Sequence, residues 1–145
     1  MARTFRTGFE IEFLTNIRGH HVYKNTWCLK LDEKLICRKD NREDAIRYDE
    51  FSIGVCKDEK LVGHIPSEIS ELLTHFIENS TTSKLTAFPT GKRKREFGLV
   101  ACAKFVAICQ DKTNTQILMT KLIEKQKVLD LNVRSTIKYR PIFID

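Results

Sequence analysis

The sequence predicts an α+β domain, mostly β with two helices, whose antiparallel strands form a small sheet or barrel. Three observations lead there. Apolar side chains recur at every second residue in several short stretches, the period of a strand with one buried face. In two other stretches they recur at helical spacing. Short polar breaks separate the strand-like stretches, which suits hairpins rather than parallel crossovers. At 145 residues and 41% hydrophobic content, the chain is one domain's length and can hold a core without metals or disulfides.

Phe9, Ile11 and Phe13 alternate with Glu10 and Glu12, so a strand is expected inside an N-terminal extension, residues 1–17. The main domain then runs over 18–130. Within it, Arg18 to Tyr23 is a second strand, and Trp27, Leu29 and Leu31 mark a third that resumes at Leu35-Ile36-Cys37. From Arg38 to Asp49 the chain is charged and shows no sustained period, which predicts a long loop. Phe51, Ile53 and Val55 restore the alternation, and a turn at Asp58-Glu59 returns the chain through Lys60–Gly63.

The period then changes. Ile65, Ile69, Leu72, Leu73, Phe76 and Ile77 predict a helix over 66–78. Pro66 suits its start, where a missing N–H costs nothing, and Ser67 and Glu68 suit its first turn. Strands are expected over 84–88 and 98–109, with Lys92-Arg93-Lys94-Arg95 at the hairpin tip between them. Asp111 to Asn114 reads as a loop. Ile117, Leu118, Leu122, Ile123, Val128 and Leu129 mark a second helix near 115–129. Residues 131–145 are expected as an extended tail, in which Val133, Ile137 and Tyr139 fit either an edge strand or simple packing across the surface.

Charge is concentrated. The net formal charge is +6, yet residues 81–145 hold 13 Lys and Arg against 5 Asp and Glu, or +8. Such a field attracts polyanions, and nucleic acid is the commonest. A solvated loop or a nuclear import signal would use the same basic cluster. No apolar run approaches the ~20 residues that span a bilayer, and Glu10 and Glu12 interrupt the place where a secretory leader needs its apolar stretch. A nuclear or cytoplasmic setting and no membrane partner are expected.

The five cysteines, Cys28, Cys37, Cys56, Cys102 and Cys109, include no C-x-x-C pair, so zinc-ribbon spacing is absent and most read as small buried hydrophobes. His20 and His21 are adjacent and would point to opposite faces of a strand. No hydrolase triad, paired-carboxylate metal motif or Gly-rich phosphate loop is present. A binding module without cofactor or metal is therefore expected rather than an enzyme.

Three pieces between Gly19 and Cys109 carry a family likeness: Gly19-His20-His21-Val22-Tyr23; Arg42, then Tyr48-Asp49 running into Phe51–Val55; and Leu61-Val62-Gly63-His64-Ile65-Pro66 leading into an apolar helix. In this the chain resembles the HIRAN domain, and most of all lone HIRAN-like proteins without an attached SWI2/SNF2-type ATPase. The resemblance implies an OB-like or SH3-like barrel that binds single-stranded DNA at a free 3′ end. By that likeness Tyr48 would stack on the terminal base and Asp49 would accept a hydrogen bond from the 3′-hydroxyl. Tyr23 or His21 would add a contact from the opening strand. Arg42 belongs to the same pattern, and Lys92, Arg93, Lys94 and Arg95 would hold phosphates. Single-stranded DNA or RNA ends are thus the expected partner, with a remodelling ATPase or repair protein as a separate one. Two positions depart from the pattern: Ile46 stands where a polar Asn is frequent, and Phe51 where a smaller or polar residue is.

Other readings stay open at this point. Tyr48 and Asp49 could simply shape the loop, with Asp49 capping backbone N–H groups. His64 reads more readily as a turn or packing residue than as a ligand. The domain could dock a protein partner, with the basic cluster as an import signal. A small thiol enzyme would need a cleft that sets a cysteine beside His20, His21 or His64.

Overall fold

The computed structural model describes residues 4–18, 33–95, 99–126 and 132–144, with backbone alone for 4–7, 91–95, 99–100 and 132–144. Seven strands and three helices follow in the order β1 (Thr4–Ile17), β2 (Leu35–Lys39), α1 (Glu43–Tyr48), β3 (Ile53–Lys57), β4 (Lys60–His64), α2 (Ser67–Glu78), β5 (Lys84–Arg95), β6 (Leu99–Cys109), α3 (Lys112–Gln126) and β7 (Asn132–Ile144). The strands form one antiparallel sheet in the spatial order β4-β3-β2-β5-β6-β1-β7.

The two-residue period builds the core directly. Cross-strand neighbours Gly63, Val55, Cys37, Leu85, Ala107 and Ile11 form one buried row. Leu35, Ala87, Phe105 and Phe13 form another, in which the Phe13 and Phe105 rings stack at 5.3 Å. Tilted strands coil the sheet until its β4 edge meets the far end of β1. There Arg18 and His64 exchange backbone hydrogen bonds of 2.8 Å each, a single rung that ties the otherwise open sheet. Gly63 permits the approach: a Cβ on it would lie 2.5 Å from Ile17 Cγ2 and 2.8 Å from the Arg18 carbonyl.

The helices cover this core. α2 buries Ile69, Leu72, Leu73 and Phe76, and α3 buries Leu118, Met119 and Leu122. Asp111 caps α3, its Oδ1 accepting the Asn114 N–H at 3.2 Å. The β3–β4 hairpin turns through Asp58 (φ 49°) and Glu59 (φ 69°), the paired left-handed geometry of a tight two-residue turn. Among the described residues no helix is long and apolar enough to cross a membrane.

Several expectations are corrected. The 38–49 segment is not all loop; it contains α1, which buries none of its side chains and so leaves no periodic trace. The described residues accordingly hold α1 besides the two expected helices. α3 starts at Lys112, because the polar Asp111–Asn114 run is its cap and first turn rather than a loop. The basic cluster lies on the paired end of β5 rather than at a free tip, with Arg93 opposite Ala101 and Arg95 opposite Leu99. β1 is no appendage: it stands between β6 and β7 and puts Ile11, Phe13 and Ile17 in the core. The edge strand expected in the tail is present, as β7 along β1. The strands expected beyond Arg18 and over 27–31 lie outside the described residues.

Candidate functional site

The short helix α1 is fastened at its two ends by carboxylates, which compensates for its lack of buried side chains. At the N-terminal end, the buried Asp40 accepts from Arg42 Nε at 3.0 Å (Oδ1) and from an Arg42 terminal nitrogen at 2.9 Å (Oδ2). The same carboxylate pairs with His64 Nε2 at 2.7 Å. Burial opposes the charge on Asp40, but the hydrogen bonds from Arg42 and His64 outweigh it and hold the carboxyl down at about 2.

At the other end, Asp49 Oδ1 accepts the Phe51 N–H at 2.9 Å, closing an Asx turn, and Oδ2 accepts the Ser70 hydroxyl of α2 at 2.6 Å. Thr74 of α2 donates to the Phe51 carbonyl at 2.9 Å. The Phe51 ring meets His75 edge-on. Asp49 thus does shape the turn before β3. That turn leaves Tyr48, the last residue of α1, with its ring in solvent at 90% exposure.

Between α1 and the start of α2 lies a cleft of about 390 Å³. Arg42, Tyr48 and Asp49 line it, together with Arg18, Asp44 and His64. Arg18 donates to Glu68 at 2.7 Å. Burial works against the Glu68 charge, yet the Arg18 guanidinium and a backbone N–H keep that carboxyl below its usual range. Asp44 and Asp49 line the cleft beside two guanidinium groups that are each already paired, Arg18 with Glu68 and Arg42 with Asp40, so the cleft carries no excess positive charge. It combines an aromatic face, hydrogen-bond acceptors and a nearby cation in one concavity.

Of the residues singled out from sequence, Arg42, Tyr48 and Asp49 meet in this cleft. His21 and Tyr23 lie outside the described residues. Lys92, Arg93, Lys94 and Arg95 end β5, two strands from β1: Arg93 pairs with Ala101, and Ala101 with Ile17, beside the cleft residue Arg18. That is about 10 Å of backbone separation at the usual strand spacing. Sequence reasoning missed Asp40, Arg18 and the site role of His64. Asp40 lies only two residues before Arg42, but Arg18 and His64 meet through a bridge between distant segments that no local pattern announces.

The thiols have other surroundings. Cys37 and Cys56 are buried in the sheet, and burial, reinforced by Cys56, pushes the Cys37 thiol up. Cys109 accepts from the Ser83 hydroxyl and the Asp111 N–H, at 3.3 Å each. Burial raises this thiol, while these hydrogen bonds bring it below its ordinary value. Among the described residues no cysteine lines the cleft beside His64, and no cluster of three or more His, Cys, Asp or Glu could hold a metal ion.

No family model and no curated protein matches the sequence. Among solved structures, the crystal structure of the HIRAN domain of human HLTF matches with a TM-score of 0.59 at 15% sequence identity, over 81% of this chain and 91% of that one. The chain has a HIRAN-like fold. Within it, Tyr48, Asp49 and His64, which belong to the pieces that carry the resemblance in sequence, line one cleft.

Proposed function

We propose that this HIRAN-like domain is a non-catalytic nucleic-acid-binding module that receives the end of a single strand in the cleft between α1 and α2. The observation that carries the reading is Tyr48, an aromatic ring 90% exposed beside a fixed carboxylate and a guanidinium. An aromatic left in water next to a concavity suits stacking on a base, worth ~1–3 kcal/mol. Asp49 accepts a hydrogen bond from a terminal 3′-hydroxyl and repels a terminal phosphate. Lys92, Arg93, Lys94 and Arg95 supply the wider positive field and contacts to a longer strand. A nuclear setting, where such ends arise, is part of the same reading.

The test is a titration of labelled single strands with a free or a phosphorylated 3′ end. Wild-type protein should prefer the free end, and Tyr48→Ala should weaken binding roughly 5- to 150-fold without lowering stability. Equal affinity for the two ends removes the end-reading role of Asp49. Absence of binding at low salt favours protein docking instead, for which the exposed Ile46 and Tyr48 would be the apolar contact.

A further inference from the structure

A second groove opens on the other side of Arg42. Its volume is about 360 Å³, and Arg38, Lys39, Asn41, Arg42, Glu59 and Leu61 contribute to its walls. It runs over the outer face of the β3–β4 hairpin, where a Cβ on Gly54 would lie 2.6 Å from the tip of the Leu61 side chain, so the glycine leaves that side chain in place at the floor. Arg38 is exposed and braced by a 3.2 Å hydrogen bond to the Glu59 carbonyl. Lys39 reaches the Glu50 carbonyl. Arg42 belongs to both cavities, and Asp40 anchors its guanidinium from below.

The charge differs between the two concavities. In the cleft, Arg18 and Arg42 are already paired with Glu68 and Asp40, and Asp44 and Asp49 add negative charge. The groove sets Arg38, Lys39 and Arg42 against Glu59 and the buried, doubly paired Asp40. A strand end has the same asymmetry: its last nucleoside is neutral at the hydroxyl, and every position behind it carries a phosphate. We infer that the groove takes the sugar-phosphate backbone behind the terminal nucleoside, with Arg42 at the phosphate joining the last two nucleotides and Arg38 and Lys39 at those that follow. This rests on the end-binding reading and adds the direction in which the strand leaves the cleft.

The experiment compares a dinucleotide with a hexanucleotide, both with free 3′ ends, on the full chain and on Arg38→Gln and Arg38→Gln/Lys39→Gln. The double variant should bind the dinucleotide as wild type does. Its hexanucleotide affinity should fall roughly tenfold, and the slope of log affinity against log salt should drop by about 1.4, at ~0.7 per lost phosphate contact. The single variant should lose about half of that slope, which keeps the test usable if removing the Lys39–Glu50 contact loosens the turn. Unchanged hexanucleotide binding and slope overturn the groove while end binding stands. Equal losses for both oligonucleotides also overturn it, because the two cations would then belong to the end site. If wild type binds neither oligonucleotide, the end-binding reading itself falls.

Discussion

Asp40→Asn removes the anchor common to Arg42 and His64, and the cost can be worked out. The folded carboxyl sits at about 2 against an ordinary 3.8. At ~1.36 kcal/mol per pKa unit, that difference corresponds to roughly 2.4 kcal/mol of folding free energy at neutral pH. Arg42 is 55% exposed, so solvent screens part of its attraction, and about 1–2 kcal/mol is the better expectation. The sign follows from the direction of the shift. A carboxyl held lower in the folded state stabilises the fold fully above its unfolded value. That contribution disappears as pH falls from about 4 toward 2, where both states become protonated. Urea denaturation of wild type and Asp40→Asn across this range should therefore show a gap of about 1–2 kcal/mol at neutral pH that narrows steadily on acidification. A gap of the same size at pH near 2 and near 7, or one under ~0.5 kcal/mol throughout, would falsify the assignment of Asp40 as a charged clamp.

Two further outcomes follow from contacts around the cleft. Gly63→Ala should destabilise by about 1–3 kcal/mol, because the new methyl meets the Arg18 backbone at 2.8 Å; Gly54→Ala meets only the movable tip of Leu61 and should cost less, so the reverse order in thermal melts would contradict the proposed closure between β1 and β4. Ser70→Ala deletes the 2.6 Å donor to Asp49 and should cost about 1–3 kcal/mol; it should also reduce the preference for a free over a phosphorylated 3′ end, and an unchanged preference would show that Asp49 needs no such support.

Legibility followed burial. Where one face of an element packs on the core, as in β1, β3, α2 and β6, the apolar period matched the element's place in the chain. α1 was invisible because it buries nothing, and its six residues are specified by contacts at its ends, Arg42 on Asp40 and Asp49 on Phe51 and Ser70. The start of α3 was misread because capping residues are polar, like those of a loop. Tyr48 and Asp49 were found through a short motif. Arg18 and His64 reach the same cleft only because the coiled sheet brings together strands 46 positions apart in sequence.

If the cleft takes a strand end as proposed, the fixed state of Asp49 sharpens what it can distinguish. Each carboxylate oxygen already accepts one hydrogen bond, from the Phe51 N–H and from the Ser70 hydroxyl. A carboxylate offers about four acceptor sites, so room remains for a hydroxyl donor without breaking either bond. A terminal phosphate offers no such donor when fully ionised. It would meet a negative charge that cannot swing aside, since rotation about the side chain would break the Asx turn and release α2's hold on it. A loosely held acid could relieve the repulsion by turning into solvent at little cost. On the end-binding proposal, the same two bonds that organise the turn before β3 would convert a general preference against anions into a positional one, and weakening either bond should erode discrimination between the two ends before it erodes affinity for the preferred one.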